Sequence, residues 1–138
     1  MKRIILGYDA TPAADHALER TAEFARAFGA TVTVASVARA LTTSAGRGIG
    51  PVDPVDPPSL HRQEADEAKD RLGARGIEAE AVVGLGDPGD LIARLANERH
   101  ADLVILGGRP GGQLRDLLGG SVSERVARKA TCDVLVVR

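Results

Sequence analysis

The sequence predicts a doubly wound α/β fold, a parallel sheet with helices on both faces. Short β-branched or leucine-rich runs alternate with helical patterns from one end of the chain to the other, and regular strand–helix alternation implies parallel pairing through crossover helices. Runs such as Thr31-Val32-Thr33-Val34-Ala35-Ser36-Val37 are apolar or small at successive positions instead of alternating, the pattern of strands covered on both sides. Helical segments open on an N-cap residue followed by proline, as at Thr11-Pro12 and Asp87-Pro88, and stop at glycine, as at Gly29 and Gly76. The 138 residues suit one domain, 1–138, since domains commonly run to about 100–150 residues. Ligands in such sheets bind at the carboxyl edge, where strand order reverses.

Residues 3–8 form a first buried strand, which places Asp9 at its carboxyl end. Thr11 caps a first helix whose apolar positions run from Ala14 through Leu18, Ala22 and Ala25 to Phe28. Residues 31–37 form the second strand. Residues 42–58 contain Gly46-Arg47-Gly48-Ile49-Gly50 and two Val-Asp-Pro units, which suit neither helix nor central strand and predict a long Gly/Pro-rich surface loop. Ser59 then caps a strongly charged helix to about residue 74, with Leu60 and Leu72 among its few large apolar residues, so that helix covers the sheet thinly. Residues 77–83 are a third strand. The stripe Leu91, Ile92, Leu95 and Ala96 marks a helix to about residue 100. Residues 101–106, 121–129 and 134–137 follow as strand, helix and strand.

Lys+Arg 18 against Asp+Glu 19 gives a net charge of −1, so no surplus field gathers nucleic acid or an anionic membrane. The apolar run near Met1 is too short for a signal peptide's hydrophobic region, and no membrane-length span follows. A single cysteine, Cys132, excludes an intramolecular disulfide and points to a reducing, cytoplasmic setting, with a half-buried structural thiol as its default role. His16, His61 and His100 lack ligand spacing and are expected to be three unrelated surface histidines, so no metal site is expected.

The most informative stretch lies between the fourth strand and the fourth helix: Gly107-Gly108-Arg109-Pro110-Gly111-Gly112, then Gly119-Gly120-Ser121-Val122. A strand, a loop with unhindered backbone and a helix N-terminus cradle phosphate, because free N–H groups and the positive end of the helix dipole converge there. It is not a conventional P-loop: no Gly-x-x-x-x-Gly-Lys-Ser/Thr run occurs, and residues 107–120 hold no lysine. No nucleophile stands beside a base, so no catalytic residue is assigned.

Ile4-Ile5-Leu6-Gly7-Tyr8-Asp9, Gly86-Asp87-Pro88, Ala101-Asp102-Leu103-Val104-Ile105-Leu106-Gly107 and Gly120-Ser121-Val122-Ser123-Glu124-Arg125-Val126, in this order and spacing, resemble the universal stress protein family. The resemblance implies an adenine-nucleotide alpha hydrolase-like fold with five parallel strands in the order 3-2-1-4-5, a homodimer and, in one branch of the family, an ATP site. It places Asp9 near the adenosine, the Val37 backbone near the adenine, and Gly107, Gly120, Ser121 and Val122 around ribose and phosphates. Gly108, Arg109 and Gly111 complete the candidate set, Arg109 as a charged fork beside the loop. The nucleotide-binding branch carries Gly, two residues, Gly, nine residues, then Gly-Ser or Gly-Thr. Counting back from Gly120-Ser121 matches Gly107 but puts Pro110 at the second glycine, whereas anchoring on Gly108 and Gly111 leaves Gly112 to Gly119 as the spacer, one residue short.

The expected function is that of a stress-response ATP-binding protein acting as a regulatory dimer, with Mg accompanying the nucleotide. The rival within the family binds no nucleotide and acts through protein contacts. A receiver-type signalling domain is disfavoured, because it needs clustered acids after the first strand and a lysine after the last, where this chain offers Asp9 alone and ends at Arg138. The apolar final strand, 134–137, supports a homodimer by pairing at the sheet edge.

Overall fold

A computed structural model describes residues 1–39, 57–108 and 121–138. The expected loop at 42–58 therefore falls outside the described residues except at its last two positions. Five parallel strands, β1 (Arg3–Gly7), β2 (Thr31–Ala38), β3 (Ala79–Leu85), β4 (Leu103–Gly107) and β5 (Asp133–Val137), form one sheet in the order β3-β2-β1-β4-β5. The helices are α1 (Pro12–Phe28), α2 (Pro58–Gly73), α3 (Pro88–Glu98) and α4 (Val122–Lys129). Strand order reverses between β1 and β4, where Leu6 lies opposite Ile105. The amino ends of this pair are pinned by Asp102, whose Oδ2 accepts from the amides of Lys2 at 2.7 Å and Arg3 at 3.0 Å.

The sheet divides the core in two. On one side α1 and α2 bury Leu18, Ala22, Ala65, Ala68 and Leu72 against Ile4, Leu6, Val32, Val34 and Ile105. On the other, α3 and α4 bury Ile92, Ala96 and Val126 against Ile5, Ala35, Val104 and Leu106. Local signals were reliable for three helix starts. Thr11 Oγ1 accepts from the Ala14 amide, Asp87 Oδ1 from Asp90 and Ser121 Oγ from Glu124, each satisfying an N–H that the helix itself leaves over. Gly29 ends α1 in the left-handed region, φ 64°.

Several sequence expectations are corrected. Ser59 does not cap α2; it lies inside a helix that begins at Pro58, with Pro57 in the cap position making no side-chain cap bond. The third strand starts and ends two residues later than 77–83, and α3 ends at Glu98. His61 is not a surface histidine. It is 8% exposed, and its Nδ1 lies 2.7 Å from the Oγ of Ser36, which is 1% exposed. His61, Ala65, Ala68 and Leu72 form a single buried stripe at helical spacing, so this charged helix seats closely through small residues in place of large apolar ones. Leu60 stays exposed.

A charged network ties α1 and α2 to the end of β1. Asp15 Oδ1 accepts from Tyr8 Oη at 2.8 Å and from Arg71 Nη1 at 2.7 Å, while Arg75 grips both oxygens of Glu19 at 2.6 and 2.7 Å. The Arg71 hydrogen bond holds Asp15 below the usual carboxylate range, and Arg75 does the same for Glu19. Burial, then the bond to Asp15, pushes the Tyr8 phenol up to about 12. A depressed carboxylate pKa stabilises the fold above the unfolded-state value, and that stabilisation disappears as pH falls through the folded-state value. Arg71→Met should therefore lower stability at neutral pH by about 0.5–1 kcal/mol, solvent screening keeping the loss small. In urea titrations the gap between variant and wild type should close progressively below about pH 5.

Candidate functional site

The carboxyl edge at the β1/β4 reversal gathers most of the described candidates. β1 leads through Tyr8, whose amide donates to the Ala35 carbonyl at 2.9 Å, into Asp9. The Asp9 Oδ1 accepts from the Thr11 amide at 3.2 Å and from Thr11 Oγ1 at 2.6 Å, so the carboxylate organises the turn into α1. Between them Ala10 adopts φ 58°, a left-handed conformation that costs a residue with a Cβ about 1 kcal/mol and stores strain beside the edge. Asp9 thus serves local structure through one oxygen whatever else it does. Val37 sits near the end of β2, opposite Gly84, and packs half-buried against the α3/α4 side of the core. Its side chain is a core side chain, as its residue type alone suggests.

Gly107 closes β4, and its lack of a side chain has a packing cause. A Cβ there would stand 2.5 Å from the carbonyl carbon and oxygen of Ala13 and 2.8 Å from the Ala14 nitrogen. The first turn of α1 lies directly on the end of β4, backbone against backbone. Gly108 continues the ladder, its amide donating to the Val137 carbonyl at 2.6 Å, and a Cβ there would meet Val136 Cγ1 at 3.0 Å. Arg109, Gly111 and Gly120, together with Pro110, lie outside the described residues.

Ser121 and Val122 open α4. Helices α3 and α4 lie side by side in the same sense: the start of α3 meets Arg125 and Lys129 through Asp87 and Asp90, and its end meets the Lys129 carbonyl and Thr131 through Asn97. Since α3 starts from the carboxyl end of β3, α4 also begins at the carboxyl edge. Ser121 Oγ caps the helix at Glu124 and lies 3.0 Å from Ser123 Oγ, and the amides of Val122 and Ser123 have no acceptor within the helix itself. Two hydroxyls, free-end amides and the positive end of the helix dipole at one place suit an anionic oxygen. Val122 is half-buried against the core and anchors that first turn.

The whole chain, residues 1–138, matches the model of the universal stress protein family. This chain belongs to that family. A universal stress protein of Mycobacterium tuberculosis is 30% identical over 99% of this chain and 95% of its own length. The universal stress protein YxiE of Bacillus subtilis is 34% identical over 53% of this chain, a match that spans 49% of the Bacillus protein. The crystal structure of a universal stress protein in complex with cAMP is similar at a TM-score of 0.73 and 27% identity, covering 99% of this chain and 96% of that one. The family's strand order is the one observed here.

Residues that sequence reasoning passed over stand behind this edge. Tyr8, Asp15 and Arg71 are 7, 56 and 63 positions apart in their pairings, and Arg125 meets Asp87 across α3 and α4; no local pattern reports such contacts. Among the described residues no group of three or more His, Cys, Asp or Glu could hold a metal ion. Cys132 is half-buried and its thiol is pushed up by burial, which suits a structural residue. No helix among the described residues is long and apolar enough to cross a membrane.

Gly107→Ala should cost about 1–3 kcal/mol of unfolding free energy, because rigid backbone at 2.5 Å is the obstacle, whereas Gly108→Ala should cost less, because its nearest obstacle is the Val136 side chain and the Val137 carbonyl oxygen stands farther off at 3.3 Å. Urea denaturation of both variants checks the ordering.

Proposed function

We propose that the chain is a single universal stress protein domain that binds an adenine nucleotide at the carboxyl edge between β1 and β4 and uses it as a conformational or assembly signal. The observation that carries this is the start of α4, where Ser121, Ser123 and the leading amides converge at the same carboxyl edge at which β4 ends in Gly107 and β1 leads into Asp9. The same fold in a 27% identical relative is in complex with cAMP. In this reading α4 and the glycines around it hold phosphate, Asp9 accepts from the adenosine, and the Val37 backbone borders the adenine. Mg arrives with the phosphates of ATP. In this reading the protein is a binder in place of an enzyme, with at most slow hydrolysis, in a cytoplasmic setting.

Pro110 favours a second reading, a family member that binds no nucleotide and works through protein contacts. Proline removes one donor, and a hydrogen bond to a charged group is worth about 1.5–3 kcal/mol, equivalent to a loss of roughly ten- to hundredfold in affinity. Thermal unfolding with millimolar Mg-ATP decides between the two. At about 100 times its dissociation constant the ligand adds roughly 2.7 kcal/mol, a rise of several degrees. The rise should be smaller in Asp9→Asn, which keeps the Thr11 acceptor, and larger in Pro110→Gly. No rise in the wild type, appearing only in Pro110→Gly, hands the protein to the second reading.

We also propose a homodimer through β5. That strand lies at the sheet edge, and Val136 on it is 40% exposed, the kind of open apolar edge that pairs with another chain. Sedimentation at micromolar concentration should show a dimer, and Val136→Lys should shift it towards monomer.

A further inference from the structure

We propose that Arg125 is a positioning residue for the nucleotide site, a clamp that seats α4 against the start of α3 so that Ser121 and the leading amides keep their place; the inference rests on the nucleotide reading above. Helix α4 has eight residues, of which only Val126 is fully buried. Val122, half-buried on the same cluster, lies one turn before it, so the apolar anchor is a narrow stripe of two side chains at i, i+4. The other restraints are polar. At its far end Lys129 Nζ meets Asp90 Oδ1 at 2.6 Å, and the Lys129 carbonyl accepts from Asn97 at 3.0 Å. At the near end Arg125 Nη1 lies 3.3 Å from Asp87 Oδ2 and 3.7 Å from Asp90 Oδ2.

The Arg125 stem is also fitted. A Cβ on Gly89 would stand 2.8, 3.0 and 2.9 Å from Arg125 Cβ, Cγ and Cδ, so the glycine in the first turn of α3 makes room for the aliphatic stem. The guanidinium then reaches both carboxylates through one nitrogen, Nη1. Asp87 is itself held, its other oxygen capping α3 at Asp90. The Arg125 amide donates to the Ser121 carbonyl at 3.1 Å, so the clamped residue is hydrogen-bonded directly to the candidate phosphate-binding residue. Such half-exposed ion pairs add little to global stability. Their effect is preorganisation, which lowers the cost of ordering the helix start when an anion binds.

Clamping and simple charge attraction make opposite predictions for one variant. Asp87→Asn keeps the cap, since asparagine caps as well as aspartate, leaves Arg125 in place, and removes a negative charge near the anion. If Arg125 acts only as a nearby positive charge, ATP binds Asp87→Asn as well as wild type or more tightly. If it clamps α4, ATP binds more weakly. Calorimetric titration of wild type, Arg125→Met and Asp87→Asn with ATP and with adenosine, alongside amide exchange over residues 122–129, tests this. Both variants should raise the ATP dissociation constant roughly three- to tenfold while leaving adenosine unchanged, with faster exchange confined to 122–129. Unchanged ATP binding, equal losses for both ligands, or tighter ATP binding by Asp87→Asn would overturn the clamp. If wild type bound neither ligand, the nucleotide reading alone would fall, and unchanged exchange in the variants would separately overturn the clamp.

Discussion

The close approach of α1 to the end of β4 is the constraint on which the carboxyl edge depends. With no side chain at Gly107, the Ala13 and Ala14 backbone rests on the strand end, and this seats the first turn of α1 beside the point where strand order reverses. The same turn carries the Thr11 cap and receives the Asp9 carboxylate. One turn on, Asp15 receives Tyr8 and Arg71. A displacement at Gly107 would therefore pass through α1 to the Asp9 turn and to the contact with α2, all of which share that helix start.

The two layers beside the sheet are held by different means. On the α1/α2 side, alanines at helical spacing let both helices settle closely on a large apolar core, and the arginine–carboxylate network lies at its rim. On the α3/α4 side the buried cluster is smaller, and α4 contributes one fully buried side chain to it. Apolar burial scales with area and does not specify orientation, and at α4 polar contacts through Arg125 and Lys129 accompany the apolar stripe of Val122 and Val126. It is the α3/α4 side that presents the anion-suited helix start. The sheet and α1 thus carry the larger share of the core, and α4 the smaller.

Much of the frame was legible in the sequence because its signals are local. Caps at Thr11, Asp87 and Ser121 are set within three residues of their partners, and continuous apolar runs mark strands covered on both faces. The expectations that failed did so for two reasons, one local and one at a distance. Ser59 has the chemistry of a cap, yet the helix starts before it, since proline at its first position needs no N–H. His61 is indistinguishable by type from a surface histidine, and its burial follows from Ser36 lying 25 residues away.

The candidate site shows the same division. Ser121 and the glycines beside it declare an anion-suited helix start by their own residue types, because the chemistry of helix ends and backbone conformation is intrinsic to short segments. The packing reason for Gly107 needed the folded chain, since the obstacle is the Ala13 and Ala14 backbone more than ninety residues away. By itself the sequence determined the strand–helix alternation, the helix caps and the family pattern, since these rest on periodicity and neighbours along the chain. Only the tertiary structure decided which charges meet, which glycine yields to a backbone and how α4 is aimed, because those depend on distances between segments that no local pattern encodes.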